Sequence, residues 1–180
     1  NGEIILKNKV ISSNNQHLEP EKRKIALSFQ ENSLFPHHSI YKNIILGIPK
    51  SGSKKINVEE ITKFLNIDHI LDKYPHQISA GEAQRVSLAR SLCAEPDLLL
   101  LDEPLSNIDQ NFKEEIQAKL KKIIKDLKIT TIIVTHDSYE AFYLGDMCGI
   151  LLDKKLKQFD NPYNVYHIPN SIEVVKFLNR

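Results

Sequence analysis

The sequence predicts an α/β fold with a parallel sheet at its centre. Four consecutive leucines at 98–101 form an apolar run without polar alternation, which is typical of a strand buried on both faces of a parallel sheet. The segment Thr130–Thr135 is rich in β-branched residues, as strands are. Between them, apolar side chains recur on one stripe of residues 111–127, which predicts an amphipathic helix whose lysines face solvent. Strand, helix and strand in this order favour parallel pairing.

The N-terminal part of the chain supplies another strand and then changes character. Ile25–Phe29 is predicted to be a strand that ends at Gln30, preceded by a possible hairpin strand around Ile4–Ile11. From residue 31 to about 74, prolines and a glycine punctuate the sequence, and apolar residues at 58–70 have helical spacing. This stretch is therefore predicted to be a mostly helical insertion.

The second half continues the alternation of helices and strands. A helix is predicted from about Gly81 to Cys93, ahead of the leucine strand. After the β-branched strand, a helix is predicted at Ser138–Leu144 and a strand at Met147–Leu152. We expect this last strand to pair in parallel within the same sheet.

Composition and charge exclude several classes of protein. The 180 residues are 41% hydrophobic, enough for a core, so a disordered chain and a disulfide-stapled miniprotein are excluded. The net charge of +1, from 24 Lys and Arg against 23 Asp and Glu, argues against nucleic acid as the main partner. Cys93 and Cys148 lie far apart and form no zinc knuckle, so a reducing compartment fits best. No apolar run approaches the roughly 18 to 20 residues that span a bilayer.

Two adjacent carboxylates, Asp102 and Glu103, follow the leucine strand directly. In parallel α/β sheets, ligands bind outside the carboxyl ends of the strands. Asp102 suits Mg²⁺ coordination, directly or through water, and Glu103 suits polarisation of a water for attack on a phosphate. The alternative is a strand that ends in an acidic turn with Pro104 as terminator.

A possible anion site precedes the helix that begins near Gly81. Ser79 and Glu82 have the spacing of a capping box, which explains both residues structurally. The functional interpretation is that the Ser79 hydroxyl and the backbone N–H groups around Gly81 bind an anion at the helix N-terminus. One geometry can serve both interpretations.

Single polar residues follow two of the predicted strands. Gln30 comes after Ile25–Phe29, and His136 comes after Thr130–Thr135. An amide can bind water or Mg²⁺, and an imidazole can donate to a phosphate oxygen. Taken singly, each residue is better explained as a surface residue at the end of a strand, because loops collect polar side chains.

The order of these segments identifies a family. The motifs are Gln30, Ser79–Arg85, Leu101–Pro104, Ser106–Asp109 and Thr135–Asp137. In this order they resemble the Q-loop, signature motif, Walker B motif, D-loop and switch histidine of the nucleotide-binding subunit of an ATP-binding cassette (ABC) transporter. The resemblance covers essentially the whole chain and implies the P-loop NTPase-like parallel sheet core of an ABC ATPase.

The resemblance implies roles for individual residues. Glu103 would be the catalytic base, Asp102 and Gln30 would serve Mg²⁺ and the attacking water, and His136 would contact the γ-phosphate of ATP. The residues that would contact ATP held by the other subunit of a homodimer, or lie at the dimer seam, are Ser79, Gly81, Glu82 and Asp109. The implied division of the chain is a partial N-terminal sheet at 1–30, a helical subdomain at 31–95 and the rest of the ATPase core at 96–180.

Two departures from the family pattern are expected to matter. The signature reads Ile-Ser-Ala-Gly-Glu where the family usually has Leu-Ser-Gly-Gly-Gln. We expect Ala80 to leave less room than glycine for a phosphate to approach the backbone, and Glu82 to add a negative charge near that phosphate. No Gly-x-x-x-x-Gly-Lys-Ser/Thr loop precedes Gln30, although the family places one there. A partial match at 47–54 has its lysine one position late and falls after Gln30. We therefore expect an N-terminally truncated ATPase that is inactive alone.

The resemblance also implies partners and a location. Leu34–Ile44 and Tyr74–Ser79 are similar to the importer branch that serves ferric iron, and less closely to polyamine, sulfate and sugar importers. The implied partners are a transmembrane permease, which the helical insertion would contact, and indirectly a substrate-binding protein, at the cytoplasmic face of the membrane. The adjacent His37 and His38 are interpreted as surface residues or permease contacts, not as iron ligands. The alternatives are a non-transport ABC-type ATPase and a non-catalytic interaction module.

Overall fold

The computed structural model describes residues 2–29, 34–49, 56–108 and 110–178. Gln30 and Asp109 lie outside the described residues, as does most of the partial phosphate-loop match at 47–54. The elements in chain order are β1 (Ile4–Leu6), β2 (Lys9–Ser12), β3 (Ile25–Ser28), α1 (Ile40–Ile45), α2 (Val58–Phe64), α3 (Ala80–Cys93), β4 (Leu98–Asp102), α4 (Gln110–Leu127), β5 (Thr130–Val134), α5 (Ser138–Leu144), β6 (Cys148–Leu152), β7 (Lys155–Asp160), α6 (Pro162–His167) and α7 (Ile172–Leu178).

A parallel sheet carries the site, as the sequence predicts. Within the described residues it has three strands in the order β3-β4-β5, with the leucine strand in the middle. The pairing is in register, so that Ile25, Leu98 and Thr130 form one row. The carboxyl ends of all three strands therefore lie at one edge of the sheet.

One face of this sheet forms the main hydrophobic core. The alternate side chains Ala26, Leu99 and Leu101 are buried, and they pack with apolar residues of α3 and α4 in one cluster. The same cluster includes residues of α1 and α2, so the predicted helical insertion shares its core with the sheet. Ser28 is also buried on this face, where its hydroxyl lies 3.2 Å from that of Ser87 on α3.

The opposite face of the sheet is only partly covered, which differs from the expectation of burial on both faces. Leu98 and Leu100 are half-buried rather than fully buried. Ile132 and Val134 of β5 are 53% and 58% exposed, and Leu27 of β3 is 41% exposed. The alternating burial of β5 follows from this, because every second side chain points away from α3 and α4.

The expectation that the strand near Met147 pairs in parallel is wrong. The observed strand, β6, pairs antiparallel with β7 in a two-stranded sheet, and among the described residues neither strand pairs with β5. The apolar pattern locates a strand but does not specify its partner, and the two-residue connection of Asp153 and Lys154 between β6 and β7 favours a local hairpin. A second cluster, including Ile150, Val165 and Val174, joins this hairpin to the helices that follow it.

The other elements that the sequence predicts agree with the structure in type and differ mainly in length. β1 and β2 form the antiparallel hairpin expected near the N-terminus. The helix expected at 58–70 ends at Phe64, and a single 3₁₀ turn follows at Asp68–Ile70. Among the described residues, no helix is both long enough and apolar enough to cross a membrane.

Candidate functional site

The polar edge of the sheet is built where β4 and β5 end side by side. Asp102 pairs in register with Val134, and the next residue, Glu103, donates its backbone N–H to the Val134 carbonyl at 2.9 Å. Glu103 has a left-handed backbone with a φ of 49°, which is uncommon for a residue with a long side chain. This turn ends the strand and directs the Glu103 side chain toward the loop after β5.

Glu103 and His136 are in direct contact at this edge. The Glu103 Oε1 atom accepts from the His136 backbone N–H at 3.0 Å and lies 2.7 Å from the His136 Nδ1 atom. The carboxylate is 15% exposed, whereas the imidazole is 79% exposed. The hydrogen bond to Glu103 and the negative charge of that carboxylate raise the pKa of His136. The pair therefore favours a charged imidazole next to a shielded carboxylate.

The Asp102 carboxylate is half-buried and makes no hydrogen bond or ion pair to the part of the chain that the structure describes. No group of three or more metal-ligating side chains is present among the described residues. Mg²⁺ usually binds one or two carboxylates in proteins and completes its shell with water and phosphate oxygens. Asp102 is therefore a suitable magnesium ligand at the sheet edge.

The start of α3 is closed by the capping box that the sequence predicts. The Glu82 Oε2 atom accepts from the Ser79 backbone N–H at 2.7 Å and from the Ser79 hydroxyl at 2.8 Å. In return, the Ser79 Oγ atom accepts from the Glu82 backbone N–H at 3.2 Å. These bonds lower the pKa of Glu82, the backbone bond from Ser79 being the largest cause. Ser79 and Glu82 thus satisfy each other, while the other Glu82 oxygen lies 3.5 Å from His69.

Gly81 brings α3 close to the segment that follows Glu103. A Cβ atom at Gly81 would lie 2.6 Å from the backbone carbonyl oxygen of Asn107, so only glycine fits at this contact. The structure thereby places the predicted signature motif against the predicted D-loop within one chain.

The Gln84 side chain stabilises the same contact between α3 and the segment after Glu103. The sequence interpretation assigns no role to this residue. Its side chain is buried. It donates to the Glu103 carbonyl at 2.6 Å and accepts from the Asn107 backbone N–H at 3.0 Å. Gln84 lies on the helix face that carries Ala83, Val86 and Leu88. A buried polar side chain requires a partner, so an amide among these apolar residues is the sequence signal that could have identified Gln84.

A second network surrounds the loop that carries His136. Lys113 of α4 forms an ion pair with Asp137 at 2.6 Å and lies 3.8 Å from the Glu140 carboxylate. Thr135 donates to that Glu140 carboxylate at 3.1 Å. The expectation that the lysines of α4 face solvent is wrong for Lys113, whose side chain is 15% exposed. Helical periodicity alone could not reveal this, because Lys113 reaches carboxylates that lie 24 and 27 positions away.

The segment 34–46, which resembles importers, is organised by Asn43. This side chain is fully buried, accepts from the Phe35 backbone N–H at 2.8 Å and donates to carbonyl oxygens at the turn before α1. Phe35 and Tyr41 are left about half exposed. The His37 and His38 rings pack at a tilt of 56° with their centroids 4.3 Å apart, without forming a cluster of three metal-ligating groups among the described residues.

Comparisons with known proteins agree with this fold. A family profile described as ABC transporter matches residues 1–106. The Fe(3+) ions import ATP-binding protein FbpC 2 of Haemophilus influenzae is 36% identical, over 99% of this chain and 51% of the relative. The glucose import ATP-binding protein GlcV of Saccharolobus solfataricus is also 36% identical, over 98% of this chain and 52% of the relative.

Solved structures show the same fold. The ATP-binding cassette MJ0796, in a dimeric post-hydrolysis state bound to ADP and Pi, superposes with a TM-score of 0.77 at 25% identity, covering 90% of this chain and 74% of that chain. In such α/β folds, ligands bind at the carboxyl edge of the parallel strands, which is where Glu103 and His136 lie. The chain belongs to the ABC transporter family. It spans about half the length of the curated relatives that it matches.

Proposed function

We propose that this protein is an ATP-binding subunit of an ABC importer, in which Glu103 and His136 act on ATP. The contact between these two side chains is the observation that carries the proposal, because it brings a carboxylate and an imidazole together at the sheet edge where ligands of parallel α/β sheets bind. The similarity to ATP-binding subunits of importers supports the coupling to solute uptake.

The proposed chemistry is attack of water on the γ-phosphorus of ATP, which breaks the bond from that phosphorus to the β–γ bridging oxygen and releases ADP and phosphate. The Glu103 carboxylate accepts a proton from the attacking water, and its partial burial keeps it close to the reacting atoms. The raised pKa of His136 favours an imidazolium, whose Nε2–H makes no bond to the described residues and is available to a phosphate oxygen. When His136 exchanges its contact with Glu103 for a contact with phosphate, the Glu103 carboxylate becomes free to accept the proton of the water.

Asp102 would hold Mg²⁺ together with Gln30, which lies outside the described residues. When bound, the ion would neutralise charge on the β- and γ-phosphates. Ser79, Gly81 and Glu82 would face ATP held by a second copy of the subunit, and Asp109, also outside the described residues, would lie at the seam. The dimeric cassette of similar fold supports this homodimer.

The partners and cargo follow from the family in the same way. The exposed rings of Phe35 and Tyr41 on the rigid turn around Asn43 would contact a membrane permease, which places the subunit at the cytoplasmic face of the membrane. A separate substrate-binding protein would deliver the cargo to that permease. Ferric iron is the proposed cargo, supported by the similarity to iron importers, although relatives that import glucose or sn-glycerol-3-phosphate are equally similar.

We further propose that the 180-residue chain alone binds Mg-ATP weakly and does not turn it over. Its sequence contains no Gly-x-x-x-x-Gly-Lys-Ser/Thr loop, whose backbone N–H groups and lysine hold the β- and γ-phosphates. A non-catalytic interaction module is the alternative that this feature favours.

A two-stage experiment tests these proposals. Titration of the chain with fluorescent ATP and Mg²⁺ should give no micromolar binding. Fusion of the phosphate-loop segment of the iron-import relative ahead of residue 1 should restore binding and hydrolysis. In the fusion, Glu103→Gln should abolish turnover but keep binding, whereas the matched control Glu114→Gln, on the exposed side of α4, should change neither. A fusion that binds ATP but hydrolyses it equally well with Glu103→Gln would overturn the catalytic proposal, and one that never binds ATP would favour the interaction module.

A further inference from the structure

Lys113 is a shielded cation that lies between two carboxylates of another helix. Its Nζ atom is 2.6 Å from Asp137 Oδ2 and 3.8 Å from Glu140 Oε2. Lys113 lies in the first turn of α4, whereas Asp137 and Glu140 lie at the start of α5. One amine therefore connects the beginnings of two helices that are separated in the sequence by a strand.

The same network holds the residues on both sides of His136. Thr135 Oγ1 donates to Glu140 Oε2 and accepts from the Asp137 backbone N–H, each at 3.1 Å. Asp137 Oδ1 caps α5 by accepting from the Tyr139 and Glu140 backbone N–H groups, at 2.9 and 3.2 Å. His136 is thus fixed at its flanking residues, which places its backbone N–H and imidazole against Glu103.

The network depends on the positive charge. Glu140 is 1% exposed, and its Oε1 atom has no hydrogen-bond partner among the described residues. Burial raises the pKa of Glu140, while the Thr135 hydroxyl and the charge of Lys113 act in the opposite direction. Without the cation, the loop after β5 loses its ion pair to α4, and the buried Glu140 carboxylate loses a nearby opposite charge, so the loop is held less firmly against α4.

We infer that Lys113 is a positioning residue for His136, acting through Asp137 and Glu140. It holds the loop after β5 against the first turn of α4, so that His136 remains beside Glu103. α4 begins at Gln110, directly after the segment against which α3 packs. The position of His136 therefore also depends on the position of that segment. The inference rests on the proposed function for the role that His136 plays. It does not rest on the proposed function for the position of His136 beside Glu103.

Nuclear magnetic resonance of the 180-residue chain tests the geometry without nucleotide, and its outcome is therefore independent of whether the chain binds ATP. The readouts are the amide hydrogen of His136, which the bond to Glu103 protects, and the ¹⁵N shifts of its imidazole. In Lys113→Met we expect the His136 amide to exchange at least about tenfold faster, while amides of the leucine strand β4 stay protected. Lys113→Arg should keep the wild-type values, because a guanidinium retains the charge and reaches both carboxylates.

Two further variants make the test decisive. Lys119→Met removes an exposed ion pair with Glu115 on the same helix and should leave His136 unchanged. Asp137→Asn removes the partner of Lys113 but keeps an oxygen to cap α5, and should release His136 as Lys113→Met does, even if Lys113→Met itself fails to fold. A folded Lys113→Met or Asp137→Asn protein with unchanged exchange and imidazole shifts at His136 would overturn the inference.

Discussion

Gly81 at the start of α3 lies directly against the backbone carbonyl of Asn107, in the segment after the candidate catalytic carboxylate. The contact leaves no room for a methyl group, since a Cβ atom would lie 2.6 Å from the carbonyl oxygen. Gly81→Ala should therefore push α3 away from this segment and lower the free energy of unfolding by about 1–3 kcal/mol. Urea denaturation measures the effect. Gly2→Ala is the control, because nothing lies within 4 Å of its Cβ position. An unchanged midpoint for Gly81→Ala would show that the backbone adjusts at no cost.

Gln84→Leu should be costly although it replaces a polar side chain by an apolar one of similar size. It leaves the Asn107 backbone N–H without its partner, while the Glu103 carbonyl keeps its bonds from the Ser106 backbone N–H and hydroxyl. A group that loses its hydrogen bond costs about 1–3 kcal/mol, so we expect a loss of stability of about 1–3 kcal/mol in chemical denaturation. Gln117→Leu, a half-buried position on α4, is the comparison and should change stability by less than about 0.5 kcal/mol. Equal effects of the two variants would contradict the role of Gln84.

The pH dependence of folding should carry the signature of His136. Since its pKa is raised in the folded chain above its unfolded value of about 6.5, the stabilisation is fully present below that value. It is lost as the pH rises through the folded pKa. Glu103→Gln removes the carboxylate that causes the shift, and should return the His136 pKa toward the ordinary value. Imidazole shifts followed by NMR against pH measure both pKa values, and the same pKa in both proteins would refute the assignment.

Side chains on the exposed face of the three-stranded sheet should tolerate substitution with little loss of stability. Ile132→Thr and Val134→Thr should change stability by less than about 1 kcal/mol, because both side chains are already more than half exposed. Both variants should also bind less of the dye ANS, which reports exposed apolar surface. Leu99→Ala on the buried face is the contrast and should cost about 2–5 kcal/mol. A large loss of stability for Ile132→Thr would show that this face is covered in solution.

The sequence predicted the parallel pairing around the leucine strand because a helix of clear periodicity separates two apolar segments. It also located Glu103 and His136 at the ends of neighbouring strands, although their catalytic roles stay predictions. The partner of β6 could not be predicted, since an apolar strand pairs equally well with a sheet or with a hairpin. The burial of Lys113 was likewise hidden, because it arises from carboxylates of α5 that only the tertiary fold brings near.

The capping box at Ser79 and Glu82 forms the hydrogen bonds at the start of α3 without a ligand. Because the two residues already satisfy each other, the helix terminus is complete before any anion arrives, and no ligand is needed to organise it. A phosphate from the second copy of the proposed dimer would therefore have to compete for a hydroxyl hydrogen that is already donated. If an anion binds there as proposed, its binding should begin with the loss of an internal hydrogen bond.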